Sequence, residues 1–211
     1  ARIIKMGEEP SRVYVVGAPG LDEIQNTKLY GKKEIEKFYR LDLSKPLLLV
    51  IQHPVTAEIH ESSRQIKETM EAVRKSGYQA IIVYPNADAG GRSMIKIINK
   101  YVNCPFIQIH KSLPRKDYLS LMKYADVLIG NSSSGIIEAP SSHLPVVNIG
   151  TRQEGRERAS NIIDVYYRKE QIVKAIKKVL CDKNLKNKLK KCKNPYGDGK
   201  TGLRIANILS K

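Results

Sequence analysis

"PLLLVIQHPVTAEIHESSRQIKETMEAVRKSGYQAIIVYPN", residues 46–86, decides the fold. It opens with an unbroken apolar run, Leu47 to Ile51, which suits a strand buried on both faces of a parallel sheet. From Thr56 to Gly77 the period changes: Ile59, Ile66, Met70 and Val73 fall on one helical face, and Gly77 is placed to end the helix. "QAIIVYPN" then returns to an apolar strand. Strand, helix and strand in this order form a βαβ unit, because parallel strands need a crossover between them.

The same alternation extends outward in both directions. Downstream, "GGRSMIKIINKYV" (90–102) reads as a helix and "PFIQIH" (105–110) as a strand. "LPRKDYLSLMKYA" (113–125) is a helix with Pro114 where a first-turn proline is tolerated, and "DVLIGN" (126–131) is a strand. "SSGIIEAPSSH" (133–143) reads as a short helix and "PVVNIG" (145–150) as a strand. After "NIIDV" (161–165) come a helix near 168–181, a lysine-rich helix, and a Gly-rich loop leading into a terminal helix within 195–211. Upstream, Ile35, Phe38 and Tyr39 give "KKEIEKFYRL" (32–41) helical spacing, while "RVYVVG" (12–17) reads as a short strand closed by the loop "APGLDEIQN" (18–26). The expectation is an α/β protein: a Rossmann-like, doubly wound parallel sheet.

At 211 residues the chain can bury one substantial core but not two large ones. No apolar run approaches the roughly 20 residues that span a bilayer, and no signal-peptide pattern opens the chain, so a soluble cytoplasmic protein without a membrane partner is expected. Cys104, Cys181 and Cys192 form no CxxC pair and read as reduced, passive thiols. Lys and Arg total 37 against 21 Asp and Glu, a net charge of +16 that favours an anionic partner. Much of the excess lies in "CDKNLKNKLKKCK" (181–193), where Leu185 and Leu189 are spaced four apart. Without interleaved aromatic residues this reads as a solvated amphipathic helix, and no nucleic-acid partner is expected. The opening "ARIIKMGEEP" lacks an initiator methionine and reads as an excerpt of a longer protein.

Ligands of such sheets bind beyond the carboxyl ends of the strands. The residues placed there are His53 and Thr56, Asn86 and Asp88, His110 and Lys111, Asn131 to Ser134, and Gly150 to Arg152, an edge that is polar, cationic and poor in carboxylates. "GNSSSGIIEA" puts small residues and free amides at a helix start, either an anion site or an ordinary serine cap. It is neither a Walker loop nor a GxGxxG fingerprint. Glu138 lies one turn beyond Ser134 and could accept from a ribose diol; the flanking "GII" and "AP" argue against full exposure. Arg152, Arg156 and Arg158 offer forks that suit a diphosphate or a carboxylate, and Arg152, nearest the strand end, is the choice for the ligand contact. His53 could donate to a phosphate or a sugar, or be a satisfied loop histidine, while His60 and His143 are assigned to structure.

The stretches "KMGEEPSRVYVVGAPGLD", "HPVT", "YPNADAG", "SLPRKDYLSLMKYADVLIGNSSSGIIEAP" and "VVNIGTRQEGRERASNIIDV" resemble the UDP-N-acetylglucosamine 2-epimerases, especially the hydrolysing branch that feeds sialic and related nonulosonic acids. The resemblance covers most of the chain. It implies the GT-B architecture, with this chain as the carboxyl-terminal, nucleotide-binding half: residues 1–30 as a crossover between domains, 31–194 as the UDP-binding domain, and 195–211 returning toward the other domain. It implies that His53 and Asn86 contact the ligand, that Ser132 and Ser133 hold the diphosphate, that Glu138 takes the ribose, and that Arg152 lies on the phosphate side. His53 is the one catalytic candidate here. In the family, UDP is eliminated to leave a 2-acetamidoglucal that is rehydrated with opposite configuration at carbon 2. That scheme requires no metal or redox cofactor, places the acid and base in the amino-terminal domain, and is carried out by homodimers.

Overall fold

In the computed structural model residues 1–210 are described; Lys211, the end of the expected terminal helix, lies outside them, as do the side chains of Lys183, Lys186 and Lys190 in the lysine-rich run. In chain order the elements are α1 (Arg2–Lys5), α2 (Gly20–Asn26), α3 (Lys32–Tyr39), β1 (Leu47–Ile51), α4 (Ser62–Ser76), β2 (Gln79–Val83), α5 (Gly91–Ile98), β3 (Ile107–His110), α6 (Arg115–Tyr124), β4 (Val127–Gly130), α7 (Ser134–Ile137), β5 (Val146–Ile149), β6 (Ile162–Val165), α8 (Lys169–Cys181), α9 (Lys183–Lys190) and α10 (Thr201–Leu209). The strands form one six-stranded sheet in the order β3-β2-β1-β4-β5-β6. Each pairing is parallel, with Leu49 opposite Ile81 on one side and opposite Leu128 on the other.

Successive side chains of a strand point to opposite faces, and here both faces are covered. Leu48, Val50, Ile82, Ile129 and Val147 pack with Ile66, Met70 and Val73 of α4, Met94 of α5 and Ile176 of α8. Leu47, Leu49, Ile51, Ile81 and Leu128 pack on the other side with Ile35 and Tyr39 of α3 and Leu121 and Met122 of α6. This two-sided burial is why the Leu47–Ile51 run shows no alternation. Gly77 ends α4 in the left-handed conformation at φ 70°, as its placement suggested. In the lysine-rich α9, Leu189 is buried, Leu185 packs on the core, and Asp182 caps the first turn by accepting from the Leu185 amide at 3.0 Å.

Four expectations need correction. Residues 13–17 pair with no strand: Arg12 closes a 3₁₀ turn (Pro10–Arg12), and Val15 is 96% exposed, so an apolar run without a ladder partner stays outside the sheet. Residues 20–26, expected as loop, form α2, with Asp22 and Glu23 in its first turn and Leu21 buried. The helix expected from Thr56 begins at Ser62 instead. A 3₁₀ stretch (Thr56–Glu61) precedes it, kinked at Glu58 (φ −122°, ψ 29°). The Glu58 carboxylate accepts from Gln65 Nε2 at 2.6 Å and Thr151 Oγ1 at 3.2 Å, which draws this residue off the helical path and leaves Ile59 exposed rather than in the core. Phe38 likewise leaves the apolar face of α3, 53% exposed and edge-on to Tyr30 at 5.1 Å.

Candidate functional site

Strand order reverses direction between β1 and β4, which opens a crevice at their carboxyl ends. The two strands are still paired at Gly130 and run close together there: a Cβ would lie 1.9 Å from the Ile51 carbonyl oxygen, and φ is 131°, so only glycine allows the approach. Asn131, 1% exposed, then bridges the crevice floor. Its Oδ1 accepts from the His53 amide at 2.7 Å, and its Nδ2 donates to the His53 carbonyl at 2.9 Å. Its own carbonyl accepts from Gln153 Nε2 at 2.7 Å and Arg152 Nη1 at 3.2 Å. One asparagine thereby ties together the ends of β1, β4 and β5.

His53 is oriented by this arrangement. The Asn86 amide donates to His53 Nδ1 at 3.0 Å, so that nitrogen is an acceptor and the proton of the neutral ring sits on Nε2. Burial, followed by the positive charge of Arg152, lowers its pKa to about 4. At neutral pH His53 is therefore uncharged, with Nε2–H as its donor. The Asn86 side chain donates to Asp88 Oδ2 at 2.6 Å, and Arg152 Nη2 stands 3.9 Å from the same oxygen.

A cleft of about 440 Å³ opens on the β1, β2, β3 and β4 ends, lined by His53, Tyr84, Asn86, Ser132, Ser134 and Glu138 among others. The serine stretch enters it as loop followed by a single helical turn, so the donors on offer are local. The Ser132 and Ser133 amides donate to no protein acceptor among the described residues, and an α7 of four residues carries little macrodipole. Ser132 Oγ accepts weakly from the Ser134 amide at 3.3 Å. Arg152 and Ser133 do not line the cleft itself; Arg152 reaches it from the β5 side, behind Asn131 and His53.

Glu138 is partly withdrawn, with 14% of its side chain exposed. One carboxylate oxygen accepts from Arg115 Nη2 at 2.5 Å and the other from Ser134 Oγ, which in turn pairs with Tyr118 OH at 2.5 Å. Burial pushes the Tyr118 phenol well up, so it stays protonated. Arg115 and Tyr118 were missing from the residues picked out in the sequence, as they belong to α6 rather than to a strand end. Their signal was the position of "LPRKDYL" directly after β3: Pro114 starts α6 at the same sheet edge, and residues three apart share a helix face. Arg158 takes no part, because it holds Asp164 through both carboxylate oxygens at 2.6 and 2.7 Å and the Gln153 carbonyl at 2.8 Å. Arg156 is exposed. Among the described residues no cluster of His, Cys, Asp and Glu could hold a metal ion, and no helix is long and apolar enough to cross a membrane.

The model of the UDP-N-acetylglucosamine 2-epimerase family matches residues 1–210. The chain belongs to this family. It is 39% identical to a UDP-N,N'-diacetylbacillosamine 2-epimerase (hydrolyzing) of Legionella pneumophila, over 99% of this chain and 54% of that protein. It is 34% identical to the polysialic acid biosynthesis protein P7 of Escherichia coli, over 92% of this chain and 50% of that one. The solved UDP-GlcNAc 2-epimerase of Neisseria meningitidis bound to UDP-GlcNAc superposes with a TM-score of 0.79 at 17% identity, over 99% of this chain and 58% of that one, a likeness of fold. The chain spans about half the length of the relatives it matches. Its sheet is thus one Rossmann-like half of the GT-B architecture.

Proposed function

We propose that this chain is the nucleotide-binding half of a hydrolysing 2-epimerase acting on a UDP-linked 2-acetamido sugar. The observation that carries the reading is the single cleft at the β1/β4 reversal, where His53, Asn86, Ser132 and Glu138 meet with Arg152 at its back. In this reading the Ser132 and Ser133 amides and hydroxyls, with Arg152, receive the diphosphate, whose charge grows as it leaves. Glu138 receives the ribose hydroxyls. His53 donates its Nε2–H to the phosphate or the sugar, and its neutral state spares the site a further cation beside Lys111, Arg115 and Arg152.

The reaction proposed is elimination of UDP across carbons 1 and 2 of the sugar, then addition of water with the opposite configuration at carbon 2. It needs a base that takes the carbon-2 proton as UDP leaves, then an acid that returns a proton to the opposite face of carbon 2 while water, losing its proton to a base, adds at carbon 1. The carboxylate that lines the cleft, Glu138, is already held by Arg115 and Ser134, and His53 carries its proton on the nitrogen left free, so neither is set to take the carbon-2 proton. This supports assigning the base, and the acid that works with it, to a second domain facing the cleft. Packing between the ends of the chain supports the division into segments 1–30, 31–194 and 195–211. The Ala18 amide donates to the Tyr196 carbonyl at 2.7 Å, and Asp22 accepts from the Thr201 and Gly202 amides at 2.9 and 2.6 Å. Met6, Tyr14, Val15, Leu203 and Leu209 are left exposed on these two segments, apolar surface suited to covering by that domain.

Proton NMR of the 211-residue chain with UDP-N-acetylglucosamine, and separately with its 2,4-diacetamido analogue, tests the division of labour. The sugar remains unconverted while its signals broaden on binding. Release of UDP and a 2-epimerised free sugar by this chain alone would refute it. The hydrolyzing relatives named for the diacetamido sugar support trying that analogue first.

A further inference from the structure

Arg115 makes a contact that the reading of the cleft does not require. Its guanidinium joins two carboxylates from distant parts of the chain: Nε donates to Glu23 Oε2 of α2 at 2.8 Å and Nη2 to Glu138 Oε1 at 2.5 Å. The Glu23 side chain is 47% exposed and that of Glu138 14%, so the second contact is the more desolvated and is held more firmly. Each contact is a single N–H···O bond, and the planar guanidinium sets its two donors at a fixed angle to each other, which a lysine ammonium does not. On the far oxygen Ser134 Oγ, itself fixed by Tyr118 OH, completes the hold. A carboxylate has about four acceptor positions, and Glu138 uses one on each oxygen. The second position of each oxygen has no protein partner among the described residues, and Glu138 lines the cleft, which makes two neighbouring acceptors available to a pair of adjacent hydroxyl groups.

We propose that Arg115 is a positioning residue that holds Glu138 in the orientation that accepts from the vicinal diol of a ribose. It thereby sets the preference of the cleft for ribonucleoside over 2′-deoxyribonucleoside diphosphates, and the Glu23 contact anchors it to α2. The proposal rests on the reading that the cleft binds a nucleoside diphosphate.

Calorimetric titration of UDP and 2′-deoxy-UDP into the wild-type protein, Arg115→Ala, Arg115→Lys and Glu23→Gln tests it. Wild type prefers UDP by about tenfold or more, the scale of one hydrogen bond to a charged acceptor. In Arg115→Ala the UDP affinity falls to near that of 2′-deoxy-UDP, whose own affinity changes little, so the ratio approaches one. Arg115→Lys keeps the charge without the fork and gives an intermediate ratio, and Glu23→Gln lowers the ratio by a smaller factor. If both ligands weaken by the same factor in Arg115→Ala and the ratio persists, Arg115 only supports the fold and the proposal is overturned. Should Arg115→Ala fail to fold, a wild-type ratio in both Arg115→Lys and Glu23→Gln overturns it equally. Wild-type protein that binds UDP and 2′-deoxy-UDP equally well removes the diol contact and the proposal while leaving the cleft as a UDP site. Wild-type protein that binds neither ligand overturns the reading of the cleft, and the proposal with it.

Discussion

Acidification should unfold this protein partly through one imidazole. His53 is held neutral by burial and by Arg152, with its pKa lowered to about 4, and its Nδ1 accepts the Asn86 amide. In the unfolded chain an ordinary histidine titrates near 6.5. Between these two values the unfolded state binds the extra proton and the folded state does not, so stability falls as pH falls through that window. Above about pH 6.5 the group costs nothing, because it is neutral in both states. Protonating the folded ring would also set an N–H against the Asn86 amide in place of an acceptor. From about pH 7.5 to about pH 4.5 the linkage amounts to about 2 kcal/mol, reduced from the ideal value because the ring is not wholly shielded from water. The assay is urea denaturation at several pH values for wild type and His53→Gln, which cannot titrate. Differencing the two curves removes the shared carboxylates and His110, whose pKa burial also lowers. The difference should grow in favour of His53→Gln as pH drops. Parallel curves across the window would refute the assignment of a buried neutral His53.

Other perturbations follow from the same geometry. Asn131→Ala strips both backbone groups of His53 of their partner, and should cost about 2 to 4 kcal/mol and lower the melting temperature by about 5 to 15 °C in a thermal scan. Gly130→Ala forces a Cβ to 1.9 Å from the Ile51 carbonyl oxygen, and should give a protein that circular dichroism finds unfolded or much less stable than Asn131→Ala. Asp22→Ala removes the acceptor for the Thr201 and Gly202 amides, so hydrogen exchange should speed up in the first turn of α10 while the β1 amides stay protected.

The sheet was legible in the sequence wherever both faces of a strand are buried, since unbroken apolar runs such as Leu47–Ile51 alternate with helices of clear period. Legibility failed where local pattern and tertiary partner diverge. The apolar Val13–Val16 run has no strand to pair with, α2 owes its place to partners about 180 residues away in α10, and Glu58 is pulled out of its helix by Thr151. "NIIDV" stands apart in the sequence without a clear element type, because Ile162, Ile163 and Val165 are only partly buried and Asp164 is exposed. For the site, the position of each strand end sufficed to locate His53, Asn86, Ser132, Glu138 and Arg152 along one edge. What it could not show is that Glu138 already has partners: Arg115 is 23 residues away in sequence and becomes its neighbour only when α6 packs against the 3₁₀ turn Ala139–Ser142 that follows Glu138.

The most direct test is calorimetric titration of UDP into the wild-type protein, Glu138→Ala and Arg152→Ala at one salt concentration. One UDP should bind per chain, with affinity reduced about 10- to 100-fold in each variant, the range for losing a hydrogen bond to a charged group. No heat with wild type, or the same affinity in all three proteins, would contradict a UDP site at the β1/β4 reversal.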